Sequence, residues 1–434
     1  PIPDVSPVSE GQHVVRVHGK TVFIKGALPT EKVSFRVLRE KKQFSEAETV
    51  EVLKESVERV RPACGYYETC GGCSLQHVSP AAQVALKQRI LEEQLERIGR
   101  VRPEQILPPI YGSVWHYRDR ARLSVSVDKK GRLKMGFQAK KTNEVVDIET
   151  CQVLPKHISD VLPMVKLLLQ TLTDGGAAVR FVEFFNSRAL VVLNICFIKK
   201  PSGYSLKQIE AWFDKISGGV KQVWQVWFQY GREPSTVLYP KDLPELKYGL
   251  PEFSVEMPYQ PGDFTQINAD LNAVMISRAL RLLDIQPNDR VVDLFCGLGN
   301  FSLPMAKSGA SVTGIEGLDS LVLRARQNAL RNSCVKYASF EVADLFETDE
   351  QTVASWGVFD KMLLDPPRSG AYAVVKSLHT PYLPKRIVYV SCNPSTFARD
   401  AEVLVNKGYN FKSAGIMNMF AQTSHVESIG VFEL

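Results

Sequence analysis

The chain has 434 residues, which is enough for two or three domains of ordinary size. Hydrophobic residues make up 44% of it and charged residues 23%, as in a globular protein with a sizeable core. The longest apolar run, at 189–198, is of strand length, whereas a membrane helix needs about 20 residues. Residues 1–10 lack the layout of a secretion signal, and the absence of an initial Met leaves an upstream start open. We expect a cytoplasmic monomer that contacts no membrane.

Positive charge is concentrated in one part of the chain. The net charge is +6, but residues 100–141 alone contain eleven Lys and Arg against three acidic residues. A basic stripe of this kind suits a polyanion such as nucleic acid. A solvated lysine-rich face is the alternative.

The first 55 residues read as short strands separated by turns. The turns fall at 18–19 and 26–30, and the predicted strands are 14–17, 21–24 and 32–38. A small β-barrel fits this pattern.

A helix is predicted next, with Ser79 as its cap, Pro80 in the first helical position and Gly99 as its stop. Its apolar residues recur at helical spacing: Val84, Leu91, Leu95 and Ile98. From 117 to 195 the pattern is again mostly strand, with one helix at 155–172.

The last 170 residues alternate hydrophobic strands with helical stretches. The predicted strands are 290–295, 311–316, 337–342, 359–365, 386–391, 410–418 and 425–434. About five β-then-α repeats imply an α/β fold with a parallel sheet and helices on both faces. The final two strands have no helix between them, so we expect an antiparallel hairpin at the edge of the sheet or within it.

The first chemical motif is VVDLFCGLGN at 291–300, where a strand enters a glycine turn that opens a helix. A dinucleotide fold would need a third glycine where Ser302 stands. Asp293 and Glu316, both at strand ends, suit an adenosyl cofactor, because a carboxylate at the second strand tip can accept both ribose hydroxyls. The motif favours S-adenosylmethionine over a nicotinamide cofactor or a plain turn.

A second motif, LDPPR at 364–368, also follows a strand and should face the same crevice. Enzymes that methylate exocyclic amines carry an aromatic residue after the two prolines. Arg368 stands there instead, which counts against amine chemistry.

The third motif, IVYVSCNP at 387–394, puts Cys392 at another strand end. An isolated cysteine is more often a small buried apolar residue. Here the strand-end position, the Asn-Pro turn and a donor site on the same edge favour a nucleophile. Uracil C5 needs such help, because a thiolate that adds to C6 makes C5 nucleophilic. Cationic or dipolar neighbours should favour the thiolate.

Such a reaction also needs a base that removes the C5 proton. Glu427, on the last predicted strand, is our candidate, and His425 is the next. Glu427 taken alone could equally be an ordinary surface residue.

A fourth constellation consists of cysteines: Cys64, Cys70 and Cys73, completed by Cys151. Gly71 and Gly72 allow the backbone to fold around a ligand. Clustered cysteines in a cytosolic chain indicate metal rather than disulfides. The uneven spacing without histidine favours an iron–sulfur cluster over zinc.

The chain resembles the RNA uracil-5-methyltransferases, and within them the branch that acts on 23S rRNA. The resemblance rests on DLFCGLGNFSLP, DPPRSG, YVSCNPSTFARD, MFAQTSHVES and the cysteine loop CGYYETCGGC, and it covers essentially the whole chain. It implies a Rossmann-like methyltransferase domain with a mixed seven-stranded sheet at 256–434. It also implies an α+β central domain with a 4Fe–4S cluster at 58–255 and an oligonucleotide-binding barrel, called a TRAM domain, at 1–57.

The resemblance further implies roles for single residues. Cys392 would be the nucleophile, Glu427 the proton acceptor, and the four cysteines the cluster ligands. The donor would be held by Gln266, Phe295, Asn300, Glu316, Asp344 and Asp365, although the family often has Asn at position 344. The segment YRDRARL at 117–123 resembles one in which arginines meet RNA phosphate, with Asp119 where a basic residue is often found.

The predicted activity is therefore methylation of a uridine in 23S rRNA. A tRNA T-loop methyltransferase would use the same chemistry, but such enzymes are usually shorter and lack the barrel and the cysteine loop. A non-catalytic RNA-binding assembly factor is disfavoured by the joint presence of Cys392, Glu427 and the donor motif. Ser302 and the Cys392 loop count against an NAD-dependent oxidoreductase.

Overall fold

The computed structural model describes residues 6–8, 12–17, 19–188, 190–217 and 222–434. The N-terminal part is a five-stranded sheet in the order β1-β2-β3-β5-β4. Its strands are β1 (Ser6–Val8), β2 (Gln12–Val17), β3 (Lys20–Lys25), β4 (Lys32–Glu40) and β5 (Phe44–Lys54). Alternate side chains of a strand point to one face, so Val15, Val22, Ile24 and Ala47 form a small core.

The three strands predicted in this region are confirmed, whereas His18 of the predicted turn lies outside the described residues. β3 and β5 run parallel, and the other neighbouring strands are antiparallel. In the described part of the sheet no pairing joins β4 to β1, so the closed barrel stays a prediction.

Helix α1 (Pro80–Gln94) begins as predicted, because the Ser79 hydroxyl accepts a hydrogen bond from the backbone N of Ala82 at 3.3 Å. It continues into a π-helical turn, Leu95–Gly99, where a side chain at Gly99 would clash with the carbonyl oxygen of Ala398. A two-residue strand, β6 (Gln105–Ile106), follows.

The central part is a six-stranded sheet in the order β12-β11-β10-β9-β7-β8. Its strands are β7 (Arg120–Val127), β8 (Leu133–Gly136), β9 (Val179–Asn186), β10 (Val191–Phe197), β11 (Trp224–Tyr230) and β12 (Thr236–Tyr239). Three helices belong to it: α2 (Lys156–Ser159), α3 (Leu162–Asp174) and α4 (Gly203–Ser217). The helix predicted at 155–172 is thus two helices, and the apolar run at 189–198 is β10, with Ala189 outside the described residues.

A hairpin, β13 (Lys247–Leu250) and β14 (Val255–Pro258), leads into the C-terminal part. Helices and strands then alternate: α5 (Ala269–Leu283), β15 (Arg290–Leu294), α6 (Ser302–Lys307), β16 (Ser311–Glu316), α7 (Asp319–Arg331), β17 (Ala338–Val342), α8 (Glu350–Trp356), β18 (Lys361–Leu364), α9 (Tyr372–Ser377), β19 (Arg386–Ser391), α10 (Pro394–Asn406), β20 (Asn410–Met417) and β21 (Glu427–Glu433). All seven predicted strands are present, and each bound falls within two residues of the prediction.

These strands form one sheet in the order β17-β16-β15-β18-β19-β21-β20-β6. The first five are parallel, and β21 lies antiparallel between β19 and β20, so the predicted hairpin is confirmed. The sheet has eight strands rather than the predicted seven, because β6 pairs with β20. An open edge strand exposes unpaired backbone groups, and β6 covers part of that edge.

The parts of the molecule share hydrophobic cores. Phe185 and Val192 of the central sheet pack in one core with Val255 and Met257 of the hairpin and with α5. The proposed boundary between 255 and 256 therefore falls inside a packed hairpin. Helix α1 packs on the C-terminal part through Leu91. Within the described ranges, no helix is long and apolar enough to cross a membrane.

Candidate active site and donor pocket

The carboxyl ends of four parallel strands meet at one edge of the C-terminal sheet. Leu294 pairs with Ile315 and with Leu364, and Leu364 pairs with Tyr389. The residues that follow these strands therefore emerge side by side, among them Phe295, Glu316, Asp365 and Cys392. Ligands of such sheets bind beyond this edge.

The glycine turn after β15 is shaped for close approach by a ligand. Phe295, Gly297 and Gly299 have φ values of 63°, 56° and 95°, in the left-handed region that glycine adopts without cost. The carboxylate of Glu316 accepts hydrogen bonds from the backbone N of Gly297 at 3.1 Å and of Gly317 at 2.8 Å. Glu316 thus holds the turn in place.

Ser302, which replaces the third glycine of a dinucleotide motif, has a role of its own. Its hydroxyl donates to Asp293 Oδ2. The other oxygen, Oδ1, is buried and has no hydrogen-bond partner among the described residues. Burial raises the pKa of Asp293 to about 7. An orphaned acceptor beneath a glycine turn fits a ligand that brings a donor group, as S-adenosylmethionine would with its ammonium and hydroxyl groups.

Two of the other expected donor contacts lie around this turn. Asn300 Oδ1 accepts from the Tyr248 hydroxyl at 2.7 Å and from Asn272 Nδ2 of α5 at 3.1 Å. Gln266 is partly buried just ahead of Asn268, which caps α5. Tyr248 and Asn272 belong to no sequence motif, so only the fold identifies them.

Asp344 stands further out than the other expected contacts. It is exposed two residues beyond β17, and its Oδ1 accepts from the backbone N of Phe346 at 2.9 Å. The Phe346 ring lies 5.7 Å from that of Phe295, so this loop borders the pocket.

Cys392 and Glu427 lie next to each other at the same edge. Ser391 pairs with Ser428 across β19 and β21, so the following pair is Cys392 and Glu427. Asn393 caps α10 through a hydrogen bond from the backbone N of Ser395 at 3.1 Å, which puts Cys392 at a helix N-terminus. Glu427 is only 3% exposed.

Burial dominates the electrostatics of this pair. It raises the pKa of Cys392 to about 12, with further increases from the Glu427 and Asp365 charges, while Arg368 lowers it. Burial also raises the pKa of Glu427 well above its ordinary value, and Asp365 adds to this. The expected cationic neighbour is present in Arg368, but the protein alone favours the thiol.

The LDPPR loop is hydrogen-bonded to the loop that carries Cys392. The Arg368 carbonyl accepts from Asn393 Nδ2 at 2.9 Å, and Arg368 Nη2 donates to His425 Nδ1 at 3.1 Å. Burial, followed by the Arg368 charge, lowers the pKa of His425 to about 4, so its imidazole is neutral near pH 7.

The four cysteines of the predicted metal site come together. Cys64, Cys70, Cys73 and Cys151 all line one small cavity. Burial raises the pKa of Cys70, Cys151 and Cys73, the last to about 12. In the described residues no group of three or more His, Cys, Asp or Glu is arranged to hold a metal ion. The iron–sulfur cluster therefore stays a prediction.

A cleft of about 1070 Å³ opens between the N-terminal sheet, the cysteine loop and the central sheet. Five cations line it, against the two acids Glu48 and Glu68, and it reaches His425 beside the active site. The cations are Lys25, Arg59, Arg122, Lys140 and Lys141. This excess of positive charge suits a polyanion.

The arginines of the YRDRARL segment differ in their surroundings. Arg120 is mostly buried, and its Nη1 donates to the Asp263 carbonyl at 2.8 Å. The Arg122 side chain is 59% exposed in the cleft, although it also pairs with Glu183 at 2.9 Å. Asp119 binds inward, to Asn186 Nδ2 and the backbone N of Ala269, which explains an acid in this basic segment.

The parallel sheet, the glycine turn and the acidic strand tip define the S-adenosylmethionine-dependent methyltransferases. The sequence profile described as tRNA (uracil-5-)-methyltransferase matches residues 81–433, and the chain belongs to this family. The family expected from the motifs is thereby confirmed.

Curated relatives agree with this membership. A Neisseria lactamica protein named 23S rRNA (uracil(1939)-C(5))-methyltransferase RlmD is 63% identical, over 98% of this chain and 93% of its own length. A Chromobacterium violaceum protein of the same name is 48% identical, over 98% of this chain and 83% of its own. A Pyrococcus abyssi tRNA (uracil-54, C5)-methyltransferase, solved with S-adenosyl-L-homocysteine, superposes with a TM-score of 0.70 at 22% identity, over 99% of this chain and 100% of that one. This last likeness concerns the fold.

Proposed function

We propose that this protein transfers a methyl group from S-adenosylmethionine to C5 of one uridine in 23S rRNA, at the position that its relatives' names give as 1939. The observation that carries the chemistry is the pairing of Ser391 with Ser428, which sets Cys392 beside Glu427 at the edge that holds the donor pocket. An RNA substrate also assigns the enzyme to the cytoplasm, where ribosomes are assembled in bacteria.

The donor pocket would be formed by Phe295, Asn300, Glu316 and Asp365, with Gln266 and Asp344 at its borders. When bound, S-adenosylmethionine supplies an electrophilic methyl group on a sulfonium. Glu316, at the second strand tip, would accept the ribose hydroxyls, and Asp365, whose pKa is raised to about 7 by burial, would complement the sulfonium charge as its carboxylate. Asp293 supports the turn from below and offers Oδ1 as a further acceptor.

Cys392 acts first on the uracil ring. Its thiolate forms a bond to C6 of uracil, and the electron pair of the C5–C6 double bond makes C5 nucleophilic. C5 then takes the methyl group, and a base removes the C5 proton. The electrons of that C–H bond restore the double bond and expel the Cys392 thiolate. Arg368 favours the thiolate, and a cationic donor at the same edge would favour it further.

Glu427 is the proposed proton acceptor. A carboxylate whose pKa is raised by burial is a stronger base than one in water. Its position next to Cys392 brings it to the uracil ring that the cysteine holds. The RNA base must be unstacked to reach both residues, as in other enzymes that act on a nucleobase.

The four cysteines around one cavity support a 4Fe–4S cluster as the resident metal group. It would brace the cysteine loop, because metal binding is coupled to folding. The five-stranded N-terminal sheet supports an oligonucleotide-binding barrel of the TRAM type. With the basic cleft, these parts would hold the folded rRNA around the target, and the enzyme would work as a monomer.

The proposal is tested by mapping 5-methyluridine in 23S rRNA from a strain that lacks the gene. Loss of one methyl group, restored by the wild-type gene but not by a Cys392→Ala variant, is the expected result. Intact 23S rRNA with loss of 5-methyluridine from the tRNA T-loop would assign the other RNA substrate. Intact methylation of both, with impaired ribosome assembly, would indicate a non-catalytic factor.

A further inference from the structure

Helix α1 carries a lysine that the proposed reaction does not use. Lys87 is 0% exposed, although lysine is almost never fully buried without a partner. Its Nζ donates to Asn418 Oδ1 at 2.6 Å and to the Phe420 carbonyl at 2.9 Å. Removing an ammonium group from water costs free energy. A lysine that is buried despite this cost is a candidate for a functional role of its charge.

The segment that binds Lys87 adjoins the proposed base. Met417 pairs with Glu427 across β20 and β21, and Asn418 is the residue after Met417. The charge of Lys87 lowers the pKa of Glu427, and the charge of Glu427 raises that of Lys87. Burial acts against both charges and lowers the pKa of Lys87 to about 7.

We propose that Lys87 is a positioning residue whose positive charge stabilises the negative carboxylate of Glu427 while it removes the C5 proton. The inference rests on the proposed role of Glu427 as the base. Lys87 itself does not touch the uracil ring. It acts through Glu427, on the step that follows methyl transfer.

The other groups around Glu427 do not replace this charge. Asp365, from the loop after β18, opposes ionisation of Glu427, and Cys392 is its neighbour from β19. Arg368 favours ionisation, but it is exposed and donates to His425, which is itself neutral near pH 7. Arg368 lowers the pKa of Glu427 more than Lys87 does, and Lys87 adds a second positive charge that is buried and therefore less screened by solvent.

A purely structural role for Lys87 can be separated from this one, because the same helix face offers a neutral counterpart. Gln83, one turn earlier, is also 0% exposed. Its Oε1 accepts from the backbone N of Gln422 at 2.9 Å, and its Nε2 donates to Gln422 Oε1 at 3.0 Å. Gln83 and Lys87 thus hold the same segment, residues 418–422, but only Lys87 can carry a charge.

The experiment compares Lys87→Met, Lys87→Gln and the control Gln83→Met in the full-length protein. Each is first given a 23S rRNA fragment with 5-fluorouridine at the target and S-adenosylmethionine. The fluorinated base has no C5 proton to remove, so adduct formation reports folding, RNA binding, donor binding and the nucleophile. Both Lys87 variants should form this adduct at about the wild-type rate.

Ordinary RNA is then used in single-turnover reactions, and release of the methylated product is measured against pH. Without the Lys87 charge, Glu427 should stay protonated to higher pH. Both Lys87 variants should shift the release profile upward by up to about one pH unit, with release up to about tenfold slower below the midpoint. Gln83→Met should leave the midpoint unchanged.

Three results would overturn the inference: a wild-type release profile in both Lys87 variants, a wild-type profile in Lys87→Gln but not in Lys87→Met, or loss of the fluorinated adduct in both variants. The second would assign Lys87 to hydrogen bonding alone, and the third to an earlier step. Absence of the adduct in the wild-type protein would instead contradict the proposed function.

Discussion

Cys392 lies across from Glu427, one position beyond the paired residues Ser391 and Ser428 of the antiparallel strands β19 and β21. The proposed nucleophile comes from the last parallel strand, and the proposed base comes from a strand that runs the opposite way. One register position therefore decides whether the two side chains can meet over one uracil ring. A shift by one residue would turn Glu427 to the other face of the sheet.

Replacing Cys392 by Ala should lower methylation on the order of a thousandfold or more, because the covalent route is lost. Affinity for S-adenosylmethionine should stay within roughly twofold by calorimetry, because Cys392 is assigned to the uracil ring and not to the donor. Cys334→Ala, at a buried cysteine whose thiol lies near the Asn332 carbonyl, is the matched control. Retained turnover in Cys392→Ala would contradict the nucleophile assignment.

The cysteine cavity predicts the colour of the protein. Purified without oxygen, it should be brown, with iron and sulfide in a fixed ratio and broad visible absorbance. Replacing Cys64, Cys70, Cys73 or Cys151 by Ser should remove the colour and much of the soluble yield, whereas Cys334→Ala should keep both. Colourless protein with stoichiometric zinc would show that the metal was predicted wrongly.

Binding to RNA should weaken steeply with salt, because the basic cleft is assigned to phosphate contacts. Replacing Arg122, which is exposed in this cleft, by Gln should lower the slope of log affinity against log salt by roughly 0.7 to 0.9. Arg120→Gln should mainly reduce stability, because Arg120 is held by Asp263 and Glu183. Filter binding at several salt concentrations measures the slope. An unchanged slope in Arg122→Gln would place the RNA elsewhere.

The sequence predicted the strands of the C-terminal sheet well, because they are encoded locally. Each strand is a short hydrophobic run, and the motifs around Asp293, Asp365 and Cys392 follow directly at strand ends. The eighth strand could not be predicted, because Gln105 and Ile106 pair with β20, which lies some 300 residues later in the chain.

Side-chain contacts between residues far apart in the chain also could not be predicted from the sequence. The helical spacing of α1 predicted an apolar face that included Ile98, yet Ile98 is 42% exposed while Gln83 and Lys87 are buried. These two polar residues have their partners in residues 418–422, about 330 positions away. In the sequence, Ser302 indicated only that the motif does not bind a dinucleotide. Its hydrogen bond to Asp293 is visible only in the structure.

Glu427→Gln should stop the reaction after methyl transfer. The variant keeps the nucleophile and the donor pocket, so with ordinary RNA a methylated covalent complex should accumulate and be seen on a denaturing gel. In the wild type, release should increase with pH through the raised pKa of Glu427, because the base acts when deprotonated. Near wild-type turnover in Glu427→Gln would show that another group is the base, with His425 the next candidate.

The most direct test of the covalent mechanism is mass spectrometry of the wild-type protein after reaction with RNA that carries 5-fluorouridine at the target. If Cys392 adds to C6 and methyl transfer follows, fluorine leaves no proton for Glu427 to remove. The account predicts a methylated adduct that survives denaturation, requires S-adenosylmethionine for full stability and maps to Cys392. Absence of any adduct, or an adduct on a different residue, would contradict it.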